Sequence, residues 1–174
     1  MKLPESAGSD SILTVVDHDC TKAAIFIPCR EEVTAEETAG LYLKHIFTRY
    51  GLPSRIISDR DPRFTSKFTR ELCRLLNISQ NISTAYHPRT DRQSEAKNKW
   101  VEQYLRFYVN HYQDNWAYYL LLAEFTHNTW TNETTRESPF TLLMGYNPHA
   151  DWLDRPSPIP QVALRINQLK EARR

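Results

Sequence analysis

Two apolar, β-branched runs, SILTVV at Ser11–Val16 and KAAIFIP at Lys22–Pro28, stand on either side of the short polar stretch HDCT. Runs of this length and composition read as strands, and so brief a polar joint makes them an antiparallel hairpin. Thr34 then opens a helix, with Glu37 three residues on completing a capping box. Leu41, Leu43, Ile46, Phe47 and Tyr50 follow at helical spacing, and Gly51 with Pro53 ends the pattern. The next apolar stretch, Arg55–Ser58 (RIIS), is a short buried strand that delivers Asp59 at its C-terminal end.

The second half is mostly helical. The apolar spacing of Phe68, Leu72, Leu75 and Leu76 predicts a helix over about Ser66–Leu76. Ile78–Thr84 reads as a short edge strand, and the loop Tyr86–Asp91 leads to a long helix over about Gln93–Tyr112. Asp114 or Asn115 caps another helix reaching roughly Asn128, and a short helix follows Pro139 and closes at Gly145. Residues 1–146 form one domain; 147–174 is a Pro-rich linker ending in a short polar helix. Strands first, then helices interleaved and trailing, imply an α/β fold: a mixed sheet with helices on its faces.

Composition excludes several classes. Only four glycines and no Gly-rich loop argue against a nucleotide cradle. No run approaches the roughly 20 apolar residues of a membrane span, and the polar start MKLPESAGSD has no signal-peptide core. Cys20, Cys29 and Cys73 lack metal-ligand spacing and read as free thiols. Of the six histidines, His18, His45, His111, His127 and His149 show no metal-ligand spacing; His111 and His127 fall in predicted helices as packed or surface residues.

The net charge of +1 is unevenly spread. Residues 1–54 hold five Lys/Arg against eight Asp/Glu, 55–106 eleven against six, and 107–174 six against seven. The basic window contains Asp59 and Glu95 and either draws a polyanion or is a solvated basic face. Asp59 sits where a strand-end carboxylate makes a rigid metal ligand; Asp59, Asp61 and Pro62 also suit a plain turn. Glu95, in the first turn of the long helix, is either a second ligand or a charge favourable to the helix dipole. Two carboxylates about 5 Å apart repel by roughly 3 kcal/mol at an effective dielectric of 20, which a divalent cation reverses. Mg²⁺ and Mn²⁺ prefer such oxygen donors, and paired ions of this kind run phosphoryl transfer. Asn98 and Lys99 share the helical face of Glu95, and Arg92 and Lys97 lie close by, so this face suits phosphate. Lys99 serves equally as an i,i+4 partner of Glu95. His87, extended before Pro88, either faces substrate or fills the loop. Trp100, Val101, Tyr104, Leu105 and Tyr108 lie on the other side of the helix, as core or subunit interface.

The segments SDRDPRFTSKF, STAYHP-x-TD-x-QSE and VEQYLRFYVNHYQDNW, with AEF-x-HN (Ala123–Asn128) and SPF-x-LL-x-GY-x-P (Ser138–Pro148), resemble the integrase catalytic core of gypsy-type LTR retrotransposons, related to retroviral integrases. The likeness runs from about Leu3 to Pro160. It implies an RNase H-like fold, a three-carboxylate site holding Mg²⁺ or Mn²⁺, and 3′-end processing and strand transfer of element DNA into host DNA. It implies Asp59 as the second carboxylate and Glu95 as the third; His87, Arg89, Arg92, Lys97 and Lys99 are the residues expected to bind DNA beside them. DNA partners, homo-oligomers and a nuclear location follow from the same likeness.

The departures from the family pattern set further expectations. The family's first carboxylate lies on a strand before the LPES segment, which here begins the chain, so a truncated first strand and weak catalysis by this chain are expected. Asp10 and Asp17 are poor substitutes for it. The hairpin would then expose an unpaired edge. Arg89 replaces a usual Gln, and Arg92 a usual Gly, a problem if the backbone there needs positive φ. The alternative is an inactive, truncated or domesticated DNA-binding and assembly module; an RNase H-type nuclease ranks below both.

Overall fold

The structure, a computed structural model, describes residues 3–58, 62–77, 83–86 and 92–148, with the backbone alone for 62, 83–86 and 92–95. Strands β1 (Ser11–Val16) and β2 (Ala24–Cys29) form the expected antiparallel hairpin, in the register Ser11↔Cys29 to Val16↔Ala24. The second strand starts two residues later than its apolar run because the turn takes more chain. There the Asp17 carboxylate accepts from Thr21 N–H (2.9 Å), Thr21 Oγ1 (2.7 Å) and Cys20 N–H (3.4 Å). Lys22, at φ 62°, completes the reversal.

The hairpin is covered on both faces, and the two-residue period of a strand decides which side chain goes where. Ile25 and Ile27 pack with Leu13, Val15 and Ile46 on one face. Ile12, Ala24 and Phe26 pack with Val101, Leu105, Trp116, Leu120 and Ala123 on the other. The first layer is a continuous helical rod: α1 (Ala35–Tyr42), a π-helical turn (Leu43–Phe47) and α2 (Thr48–Tyr50). The capping box is fully made: Glu37 N–H donates to Thr34 Oγ1 (3.2 Å), and Thr34 N–H donates to the Glu37 carboxylate (2.9 Å). The π turn is absent from the sequence reading, since its apolar spacing matches an unbroken α-helix.

Strand β3 (Arg55–Ser58) begins and ends where its apolar run does. Helix α3 (Pro62–Leu75) starts four residues earlier than its apolar spacing indicates, with proline at its first position, where a missing N–H costs nothing. Strand β4 covers Ser83–Tyr86, ending two residues later than expected, and pairs parallel to β3; the expected residues 78–82 lie outside the described residues. Parallel and antiparallel pairing are both present, as two separate two-stranded ladders among the described residues. Tyr42 joins them: it packs beside Ile25 and Ile27 and also edge-on to Phe68 of α3 (5.7 Å, 80°).

Helix α4 covers Arg92–Tyr108 and α5 covers Trp116–Thr129. The long helix stops four residues before Tyr112 because polar side chains take the backbone elsewhere. Asn115 Oδ1 accepts Asn110 N–H (3.1 Å), and Asn110 Nδ2 donates to Asp114 (2.7 Å). Asn115 occupies the N-cap position of α5, yet its side chain makes no capping bond. His111 therefore lies exposed in a turn rather than in a helix. The short helix α6 (Pro139–Met144) is built as its sequence indicates: Ser138 Oγ accepts Thr141 N–H, Pro139 sits at the first position, and Gly145 closes it at φ 80°. The linker and terminal helix expected over 147–174 fall outside the described residues beyond Pro148.

Helix α5 closes the outer edge of β2. Asn128 Oδ1 accepts Ala24 N–H (3.0 Å) and its Nδ2 donates to Ala24 O (2.9 Å), reproducing a strand's pair of bonds. One turn earlier, Glu124 accepts Phe26 N–H (3.2 Å) and faces Arg49 (3.6 Å). Among the described residues β1 pairs only with β2. His127, 7% exposed, stands edge-on to Trp100 (5.0 Å, 83°) and Phe26 (6.1 Å, 89°). Because Asn128 Oδ1 is an acceptor, the 3.2 Å contact makes His127 Nδ1 the donor. Burial, aided by the Lys97 charge, pushes the imidazole down to about 4.

Two predictions follow from α5. Asn128→Ala leaves a buried amide and carbonyl unpaired, and is expected to cost about 2–4 kcal/mol in chemical denaturation; a change below about 0.5 kcal/mol would exclude the edge-closing role. His127 stays neutral in the fold while the unfolded chain takes up a proton near 6.5, so its contribution is intact above that pH and lost on acidification towards 4. The loss through this group is roughly 3 kcal/mol. Denaturation across that window should therefore show a shallower acid dependence in His127→Gln than in the parent; equal slopes would contradict the buried neutral imidazole.

Candidate active site

The parallel register Arg55↔Ser83 to Ser58↔Tyr86 sets the C-terminal ends of β3 and β4 side by side. Each end runs into a short connection and then a helix: residues 59–61 lead to α3, and residues 87–91 lead to α4. Asp59 is the first residue past β3. Glu95 is the fourth residue of α4, within its first turn. The strand that Asp59 follows and the strand that precedes the helix of Glu95 thus end side by side, at the end of a parallel pair where open α/β sheets bind their ligands. Asp59, His87 and Arg89 lie outside the described residues, and Arg92 and Glu95 are described by backbone alone.

Arg92 is the first residue of α4, in helical backbone that any residue adopts. The glycine usual at this place is therefore not required here for positive φ. The two lysines of the first turns differ. Lys99 is exposed. Lys97 is half-buried, and burial with the nearby Lys22 charge holds its ammonium below the usual lysine range. Lys97 lies on the side of His127, whose protonation it opposes. Among the described residues, Asn98 Oδ1 is buried without a hydrogen-bond partner. Trp100 stacks on Tyr104 (5.4 Å) and lies parallel to Phe26 (6.2 Å), while Val101 and Leu105 are buried, so this side of α4 is core.

Asp10 and Asp17 are both engaged elsewhere. Asp10 Oδ1 accepts Glu31 N–H (2.7 Å). Asp17 holds the hairpin turn, and its hydrogen bonds from Thr21 and Cys20 lower its pKa against the opposing effect of burial. Within the same turn Asp19 meets Arg55 (3.3 Å), which ties the turn to the N-terminal end of β3, away from Ser58. Among the described residues, no group of three or more His, Cys, Asp or Glu is placed to hold a metal. The donor chemistry of Asp59 and Glu95, hard carboxylate oxygens at a strand end and a helix start, fits Mg²⁺ or Mn²⁺.

The residues missed in the sequence are Glu124 and Asn128. Their signal was present in AEF-x-HN: two polar side chains one turn apart on an apolar helix, matching the spacing of successive amides on one strand edge.

No protein-family model matches the chain. By sequence it is 33% identical over 155 residues to the Transposon Tf2-3 polyprotein of Schizosaccharomyces pombe (strain 972 / ATCC 24843). That match covers 89% of this chain and 12% of the polyprotein, so the chain spans about one eighth of its relative's length. By structure it is similar to a chain of the simian T-cell lymphotropic virus intasome, solved in complex with the PP2A regulatory subunit B56 gamma: TM-score 0.61, 17% identity, covering 89% of this chain and 55% of that one. It is also similar to the HTLV-2 integrase catalytic core domain in complex with magnesium, dimeric form: TM-score 0.50, 20% identity, covering 78% and 92%. The fold is the RNase H-like fold of integrase catalytic cores. The chain thus combines the fold of integrase catalytic cores with sequence similarity to a segment of a transposon polyprotein.

Proposed function

We propose that the chain is the catalytic core of a DNA integration reaction, a metal-dependent polynucleotidyl transferase acting on element ends and target DNA. The parallel pairing of β3 and β4 supports this reading, because it sets the C-terminal ends of the strand before Asp59 and the strand before the helix of Glu95 side by side. Asp59 and Glu95 supply carboxylate oxygens to the divalent cations. When bound, Mg²⁺ or Mn²⁺ activates the attacking oxygen and stabilises the leaving one. In the transfer, a DNA 3′-oxygen forms a bond to phosphorus as the bond to the leaving 3′-oxygen breaks. Lys99, exposed one turn beyond Glu95, holds a backbone phosphate, and His87, Arg89 and Arg92 are the further DNA-binding residues of this reading. Lys97 contributes less, since its half-buried ammonium belongs to the His127 side of α4.

The similar viral cores are described as dimeric and trimeric forms and as part of an intasome. Self-association of this chain is supported by a band of exposed apolar side chains on α5 and α6: Tyr118, Leu121, Leu142, Leu143 and Met144. Action on host DNA places the protein in the nucleus. No helix among the described residues is long and apolar enough to cross a membrane.

The test is a Mn²⁺-dependent strand-transfer assay on the 174-residue chain and on a form carrying an added N-terminal strand with an aspartate. Asp59→Asn and Glu95→Gln should each lower transfer by roughly two orders of magnitude or more with folding unchanged. Transfer that persists in either variant would overturn the assignment of that carboxylate. DNA binding without transfer in any form would favour a non-enzymatic assembly module.

A further inference from the structure

Helix α3 buries Thr65, Phe68 and Leu72, the last two packing with Ala35 and Ala39 of α1. Its opposite side presents Arg63, Lys67, Arg70 and Arg74, all exposed. At 100° per residue these four fall within an arc of about 60°, and they run for roughly 16 Å along the helix. The acidic complement of α3 is Glu71 alone, and Arg74 holds it by two bonds, Nε at 2.8 Å and Nη2 at 2.5 Å.

This arrangement opposes the helix's own electrostatics. The first turn has no acidic residue and carries Arg63 at the positive end of the dipole. Arg63 and Lys67, and Arg70 and Arg74, are like charges one turn apart, which weakens a helix. A polyanion lying along the stripe reverses both effects.

We propose that the exposed face of α3 is a binding site for the phosphate backbone of DNA. The inference rests on the integration reading and names a surface for its substrate outside the carboxylate edge. A row of about 16 Å matches roughly five base-pair rises along the duplex axis. Three of its four cations are guanidiniums, whose planar donor pairs suit phosphate. A membrane surface is a poor fit, because the apolar side of α3 is packed against α1 rather than left beside the cations. In sequence the stripe starts four residues after Asp59. Backbone contacts of this kind grip without reading sequence.

The experiment measures fluorescence anisotropy of a labelled duplex of about 20 base pairs, with the 174-residue chain, between about 50 and 200 mM salt. Lys67→Ala/Arg70→Ala should flatten the slope of log affinity against log salt by about 1.8 and weaken binding at 0.1 M on the order of 60-fold. The loss should be the same for a scrambled duplex, with helix content unchanged. Lys67→Arg/Arg70→Lys, which keeps both charges, should stay within about twofold of the parent. A parent that binds with a salt slope, beside an alanine variant that matches it, overturns the stripe and leaves the integration reading standing. A parent with no salt-dependent binding overturns both. Displacement of the duplex by polyglutamate at equal charge overturns DNA as the ligand and assigns the stripe to an acidic protein.

Discussion

The parallel pairing of β3 with β4 is the constraint on which the rest of the structure depends. Antiparallel strands can be joined by a tight turn, but parallel strands need a crossover, and α3 is that crossover. Once the pair is parallel, both strands point the same way, and whatever follows each of them leaves from the same edge. Asp59 follows β3 directly, and five residues separate β4 from the helix that bears Glu95. The strand that precedes Asp59 and the strand that precedes the helix of Glu95 are thereby set side by side by a ladder of four residues a side.

Burial and charge divide the molecule along α4. On one side Val101 and Leu105 enter the core, and Trp100 closes over Phe26 and His127. Burial there is strong enough to keep His127 neutral and to depress Lys97. On the other side Lys99 remains in solvent. Two lysines only two positions apart thus have different electrostatic roles, one tied to the fold and one available to a ligand. The exposed cations of α3, immediately after the Asp59 connection, extend the basic character of the same half of the chain.

Much of this was legible in the residues because local physics agrees with the fold there. The hairpin, β3, the capping box at Thr34 and the Ser138-Pro139 start of α6 all follow from apolar runs and side-chain caps that act over a few residues. The strand before Asp59 and the helix start that bears Glu95 were legible in the same way. What was not legible depends on distant partners. The π turn at Leu43–Phe47 leaves the apolar spacing intact, and the early end of α4 is decided by Asn110 and Asn115 bonding across a turn. Glu124 and Asn128 act on a strand about a hundred positions away, so their role becomes visible only when α5 lies along β2. The contrast between Lys97 and Lys99 likewise required knowing which way α4 is rotated against the hairpin.

The most direct test of the common edge is paramagnetic. Mn²⁺ added in small amounts to the isotopically labelled chain broadens the backbone amide signals nearest its binding site. The account predicts broadening at the C-terminal ends of β3 and β4 and in the first turn of α4, with the hairpin turn 17–23 unaffected, and loss of the pattern in Asp59→Asn. Broadening centred on the hairpin turn, or a pattern that survives Asp59→Asn, would contradict it.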